Sequence, residues 1–508
     1  GIKIDYIGSW NERPYSSDYL KLLRKELDSN GFEDTLINAP DSNWDIAGDM
    51  LSDPQLNASV YAPSAHYPGQ FSSADAKATK HPLLASEDDS TYGGGGVGSA
   101  CWGRILNRNY VLGAMSGSIM WNLLDSCLAH LPWYGAATGV AHSPWSGNYH
   151  FFPALWLTAH TTQFTAANGM WHYLANSTNS SVPGGSGMLP SGGSYVTLVD
   201  TGGSNDFTII VENFHHDRSA CIRPSNAPYQ SQAHNVTFVL QGVGTVGQTL
   251  AVWRSKIGYN ADESSLFQQM PSVTLGTDRT ITVELDLDSM YTISSITSGP
   301  SKGSHPTPPP PTPFPVPYSD NFDSCAIASQ VNYFTDQSGS FECVSAEVVG
   351  REGIVLRQMS LEHPISWGGD VVPLSVYGAA SWTDQSHQVD VWTNTTAFPA
   401  IGARITGTTH AQGVWLVVGT SGMWWVYCNT GDFPTTSKAI DSGSINFPSS
   451  SWATLGLEIK GGMATGSFNG TTLFSNKDYA TTCNAAYGFG GLAVSTYDVA
   501  FFDNWKTT

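Results

Sequence analysis

The chain has 508 residues, room for about three domains, and its 41% hydrophobic and 13% charged residues exclude a disordered or coiled-coil protein. A formal charge of −20 leaves no domain-wide basic footprint for phosphate backbones, so no nucleic-acid partner is expected. With 17 Trp, 21 Tyr and 52 Gly, the composition fits a loop-rich protein with many flat apolar faces, as sugar-handling proteins have.

In chain order, residues 1–164 alternate short apolar runs with helical stretches. Strands are predicted at Ile2–Gly8, Thr35–Ala39, Ala58–Pro63, Pro82–Ser86 and Ser118–Asn122, and helices at Ser17–Asn30 and near Gly103–Leu112. Alternating βα units imply a parallel sheet with its active residues at the strands' C-terminal ends. A closed barrel needs eight strands, so three more βα units are expected ahead of Gly1. The apolar stretch Tyr110–Leu124 is too short for a membrane span and carries Ser, Gly and Asn122; it reads as a buried element.

Residues 165–299 read as all-β, with Tyr195–Val199, Phe207–Glu212, Val236–Leu240 and Thr280–Leu285 as β-branched runs between turn residues. Residues 300–318 are Pro-rich (SKGSHPTPPPPTPFPVP from Ser301) and are expected to form a semi-rigid polyproline linker. In residues 319–508, Gly413–Gly419, Met423–Cys428 and Ala453–Ile459 predict a two-sheet sandwich.

Asn-X-Ser/Thr sequons lie at Asn57, Asn176, Asn179, Asn235, Asn394 and Asn469. Seven cysteines without a CxxC zinc spacing favour an oxidising compartment. The first residues are interrupted by Asp5 and do not read as a secretion signal, so a signal peptide upstream of Gly1 is the expectation.

Two acids stand at strand ends, Glu12 after the first strand and Glu87 at the end of the fourth, 75 positions apart. In a barrel that separation faces them across the mouth, which is the arrangement retaining glycoside hydrolysis requires. The alternative is that both are ordinary loop acids in a chain with 42 acidic residues. The stretches WNERPYSSDYLKLLRKEL, SAHYPG, SADAKATKHPLLASEDDST, ACWGRILNRNYVLGAMSGSIMWNL, PWSGNYHFFPALWLTAHTTQF and ACIRP, with the closing FFDNW, bear on that choice. In order along the whole chain, they resemble glycoside hydrolase family 59, the galactocerebrosidase family.

The resemblance implies a multidomain α/β plus all-β protein: a partial TIM (β/α)8 barrel (strands 4 to 8), a β-sandwich, and a C-terminal lectin-like sandwich of laminin G or concanavalin type. It implies that Glu12 is the proton donor and acceptor, that Glu87 is the nucleophile, and that Asn11 contacts the sugar 2-hydroxyl. An ionised Glu87 would keep Glu12 protonated until Glu87 is esterified, after which Glu12 would serve as base.

Arg223 matches the family's galactose-contacting arginine, and Cys101 and Cys221 match a disulfide joining barrel to sandwich; pairing of Cys325, Cys343, Cys428 and Cys483 stays open. Ser90, Trp121, His66 and Tyr67 fall where they would line the cleft. Trp133 replaces a family Tyr, and Cys127 reads as a buried free thiol. The family also implies a galactosylceramide or other galactolipid substrate, a saposin-type lipid-transfer partner, a lysosomal or secreted location, and no cofactor for catalysis.

Asp320 with Asn321, and Asp503 with Asn504, resemble the paired ends of laminin-type lectin domains, where acids hold a structural Ca²⁺; the other reading is turn acids. Gly93–Gly96 lacks the Lys-Ser/Thr of a phosphate loop. The G-x-S-x-G match at Gly299 opens the linker instead of a nucleophile elbow, and His215-His216-Asp217 lacks a third ligand. Two rival functions remain: a non-catalytic glycolipid-binding protein, which would not need Glu12 or Glu87, and a β-galactosidase of soluble galactosides.

Overall fold

The computed structural model describes residues 2–88, 95–121, 124–125, 139–165, 171–173, 185–221, 228–259, 264–364, 371–407 and 410–508. The chain forms two compact units that meet in sequence at Pro306 and Thr307; the second also takes in residues 140–150.

The first unit opens with a half-barrel of five parallel strands in the order β1 (Tyr6–Gly8), β2 (Leu36–Ser42), β3 (Ala62–His66), β4 (Leu84–Asp88), β5 (Gly117–Met120). The crossovers run through α1 (Ser17–Ser29), α2 (Ile46–Ser52), α3 (Pro54–Ser59), α4 (Ala74–Ala78) and α5 (Gly96–Val111). Helix α1 starts where the Ser16 hydroxyl accepts from the Tyr19 amide, and its Leu20, Leu23 and Leu27 pack against Ile37, Ile46 and Leu56.

Two predicted strands shift. Ile2 and Ile4 are exposed and unpaired as strand, because β2 begins only at Leu36, opposite Tyr6. The strand predicted from Ala58 begins at Ala62, because Asp53 accepts from the Gln55 and Leu56 amides and, with Pro54 behind it, starts a helix through Ser59.

Helix α5 and α6 (Pro153–Thr162) lie on the central β domain, whose seven-stranded sheet includes Ser194–Asp200, Phe207–Asn213, Thr249–Lys256 and Ser289–Ser294. Strand 207–213 is buried on both faces: Phe207, Ile209 and Val211 enter the core under the two-stranded antiparallel sheet 234–239/280–285, while Ile210 meets α5 and α6. Cys101 on α5 is bonded to Cys221, as the resemblance implied.

In the second unit, sheets of eight and seven strands enclose a core of Val389, Val391, Ile401, Val414, Leu416 and Leu455. The predicted strands stand as 412–419, 423–429 and 451–460. Disulfides Cys325–Cys343 and Cys428–Cys483 resolve the pairing left open by sequence.

The Pro-rich segment is held along its second half and is no bare spacer there. Carbonyls of Pro309, Pro310 and Thr312 accept from Asn148, Ser146 and Trp145, and Phe314 packs among Trp145, Tyr318, Tyr333 and Trp382. Proline removes the segment's own donors, so its free carbonyls are met by side chains from elsewhere in the unit. Among the described residues no helix is long and apolar enough to cross a membrane.

Candidate active site

The first three strands of the half-barrel end in the same way. Glu12, Asp41 and Tyr67, just past or at the ends of β1, β2 and β3, have φ of +50°, +64° and +43°. A side chain in the left-handed region costs about 1–3 kcal/mol, so such residues persist where their surroundings fix them. Here the Glu12 amide donates to the Asp41 carbonyl at 3.0 Å and the Tyr67 amide to the Glu87 carbonyl at 2.8 Å. These bonds stitch the strand ends together and gather the side chains of Glu12, Asp41, His66, Tyr67 and Glu87 at the sheet's C-terminal edge.

His66 is the centre of the group, with its side chain 4% exposed. Its Nδ1 lies 2.8 Å from Glu12 Oε1 and 3.5 Å from Glu87 Oε2, and its Nε2 lies 3.0 Å from Asp41 Oδ1. The Tyr67 hydroxyl donates to Glu87 Oε1 at 2.6 Å. Polar atoms of Glu12, His66 and Glu87 all lie within 4.8 Å of one another. That closeness agrees with the ~5–5.5 Å carboxyl separation of retaining glycosidases and not with the ~6.5–9.5 Å of inverting ones.

Burial opposes a charge on His66, but its bonds to Asp41 and Glu12 and the charge of Glu87 outweigh that and raise its pKa above 6.5. Burial likewise works to raise Asp41, and the bond from His66 wins, holding that carboxyl below its ordinary range. The Glu12, His66 and Glu87 side chains are also the described group close enough to share a metal ion. Nδ1 of the ring is bonded to Glu12 and lies within ion-pair distance of Glu87.

Asn11 is exposed beside Glu12, and Trp121 is half-buried just past β5, its amide donating to the Asp88 carbonyl at 2.7 Å. Ser90, Arg223, Trp133, Cys127, Asn176, Asn179 and Gly93–Gly94 lie outside the described residues. His216 pairs with its neighbour Asp217 on the surface. Asp320 accepts from the Tyr318 hydroxyl and the Phe322 amide, while Asp503 accepts from Arg351 at 2.6 Å.

Sequence reasoning missed Asp41, although a carboxylate just past a predicted strand (Thr35–Ala39) was the signal used for Glu87. It also missed Arg104 and Arg108 of α5. Arg104, fully buried, donates to the Ser219 and Tyr229 hydroxyls and to Cys221 Sγ; Arg108 pairs with buried Glu212 at 2.8 Å.

Three family profiles match the chain: Glycosyl hydrolase family 59 over residues 1–163, its central domain over 182–300, and the Galactocerebrosidase C-terminal lectin domain over 336–508. The chain is 36% identical to a galactocerebrosidase of Mus musculus over 99% of its own length and 72% of that protein's, and 35% identical to one of Homo sapiens with the same coverage. A putative galactocerebrosidase of Caenorhabditis elegans is 27% identical over 71% of this chain and 50% of its own. With these matches spanning the half-barrel, the central β domain and the lectin-like sandwich, the chain belongs to glycosyl hydrolase family 59 and is a glycosidase.

Proposed function

We propose that the protein removes β-linked galactose from galactosylceramide and related galactolipids by double displacement, with Glu87 as nucleophile and Glu12 as acid and base. The carrying observation is the pair of carboxylates at the ends of β1 and β4, close enough for one hexose carbon and flanking a shared histidine.

In the first half-reaction a Glu87 oxygen attacks the anomeric carbon while Glu12 gives its proton to the departing ceramide oxygen. The Tyr67 hydroxyl, bound to Oε1, fixes the carboxylate and leaves Oε2 for attack. Esterified Glu87 carries no charge, so Glu12, now a carboxylate, takes a proton from water. The resulting hydroxide displaces Glu87 and releases galactose with its β configuration. Asn11 would contact the 2-hydroxyl, and Arg223, Ser90 and Trp121 the rest of the sugar. Neither step needs a cofactor.

The three disulfides fit an oxidising route to a lysosome or to the outside, and exposed Asn235, Asn394 and Asn469 would carry glycan there. Asn57 is half-buried, its Oδ1 3.2 Å from His81 Nε2, and is the poorer acceptor. A calcium ion on Asp320 and Asp503 would compete with the Arg351 pair; if it binds, a chelator lowers the melting temperature, and an unchanged melt removes the ion from the account.

Turnover of galactosylceramide and of a water-soluble β-galactoside, each with and without a saposin-type protein, tests the substrate. Saposin-stimulated release from the lipid is expected. Preference for the soluble galactoside regardless of saposin would move the assignment there, and binding without turnover of either would leave a lectin.

A further inference from the structure

The mechanism above uses Glu12, Tyr67 and Glu87; it leaves Asp41 and His66 without a task. Both ring nitrogens of His66 sit within hydrogen-bond distance of carboxylate oxygens, Glu12 on one side and Asp41 on the other. An ionised carboxylate only accepts, so once Glu12 has given up its proton a neutral ring, with one N–H, would leave its other nitrogen facing an acceptor; while Glu12 is protonated, its own O–H can meet that nitrogen. With Glu12 ionised the geometry is satisfied fully by the imidazolium, which donates on both sides. Asp41 is itself fixed, its amide donating to the buried Ser64 hydroxyl at 3.2 Å and its carbonyl accepting from the Glu12 amide. The charged and titratable groups facing His66 among the described residues come from all four neighbouring strand ends: Glu12, Asp41, Glu87, and Tyr67, whose ring stands edge-on at 6.2 Å.

We propose that Asp41 and His66 form a positioning dyad: Asp41 keeps the ring doubly protonated, and the ring holds Glu12 in place and stabilises the carboxylate that Glu12 becomes once its proton has gone to the leaving group. This rests on the assignment of Glu12 as acid and base. The dyad acts through the carboxylates, with Nδ1 bonded to Glu12 Oε1 and 3.5 Å from Glu87 Oε2; it holds Glu12 for proton transfer in the first half-reaction and keeps it aimed at water in the second. It also places part of the alkaline limb of the pH profile on His66, because loss of the Nδ1 proton removes the donor that steadies the Glu12 carboxylate left when the proton goes to the leaving group.

Asp41→Asn keeps the shape and removes the charge. On a galactoside with a poor leaving group its kcat is expected to fall about tenfold or more, up to the ~10²–10⁴ that general acid catalysis supplies in full. On a nitrophenyl galactoside it should fall much less, with KM nearly unchanged. The alkaline limb of kcat/KM should move to lower pH by about one unit, as removal of a neighbouring opposite charge requires.

Equal losses on both substrates with an unmoved limb would overturn the dyad as anything more than a structural support. If Asp41→Asn does not fold, ring-nitrogen chemical shifts of His66 in the wild-type protein decide. Both nitrogens protonated at pH 6.5 supports the dyad, and a neutral ring there refutes it. Failure of the underlying assignment looks different: Glu12→Gln would then treat good and poor leaving groups alike.

Discussion

At the scale of single residues, Glu12 and Glu87 differ in what holds them. Glu87 sits in a strand and takes the Tyr67 hydroxyl, while Glu12 sits past its strand in a left-handed conformation pinned by the Asp41 carbonyl. Glu87→Gln should abolish formation of the glycosyl-enzyme on every substrate. Glu12→Gln should slow poor leaving groups by ~10²–10⁴ and spare the first step for activated ones, which stopped-flow release of nitrophenol would read directly. Both acids stood out as carboxylates after predicted strands at barrel spacing, a pattern that left the loop-acid alternative open until the family resemblance bore on it. Asp41 follows a predicted strand too, but what sets it apart is a contact to His66 across 25 positions, made by backbone stitching that the strand-end pattern does not encode.

At the scale of elements, α5 ties β4, the strand that carries Glu87, to the central β domain. Its Asn109 amide donates to Asp88, next to Glu87, and to Ser118 of β5; Asn107 donates to the Ser194 and Ile210 carbonyls. Arg108→Leu would strand the Glu212 carboxylate, fully buried and otherwise held by Ser194 and the Phe214 amide. A loss of about 3–5 kcal/mol is expected in denaturant unfolding. Gly103→Ala tests the packing: a Cβ there would meet Leu157 at 2.8 Å and Phe214 at 3.0 Å, with about 1–3 kcal/mol expected.

Only the second half of this helix was legible. Its first turns are glycine-rich and read as loop, yet a Cβ on Gly96 would come within 2.8 Å of the Gly258 carbonyl, so close approach to the β domain, a tertiary demand, selects glycine there. The half-barrel strands, the disulfide on α5 and the sandwich strands were readable from pattern and resemblance; the shifted third strand was not, because a two-residue cap outweighed strand propensity.

At the scale of the whole molecule, each unit contains a fully buried histidine: His160 between Thr292 and Ser255, and His387 between Gln385 and Thr507. Burial lowers both to about 3, against 6.5 for an exposed ring. Below pH 6.5 the unfolded chain therefore takes up protons the folded chain refuses, and stability falls as pH drops toward 3. His66 runs the other way: its contribution is full below 6.5 and is lost as pH rises through its raised folded value. Unfolding free energy should thus rise with pH between about 4 and 6.5, and His160→Gln should flatten that slope by up to ~1.4 kcal/mol per pH unit. A slope unchanged by the substitution would show that His160 is not the group responsible. Oxidised Cys101–Cys221 closes 120 positions and contributes about 4–5 kcal/mol in the chain-entropy model, so reduction should lower the melting temperature of the first unit.

One experiment reaches the centre of the account. The protein is incubated with a 2-deoxy-2-fluoro-β-galactosyl fluoride, which slows the second displacement more than the first, and is then digested for peptide mass spectrometry. The account predicts a single galactosyl ester on Glu87, lost on return to turnover conditions. An adduct on any other side chain, or a product of inverted anomeric configuration, would contradict it.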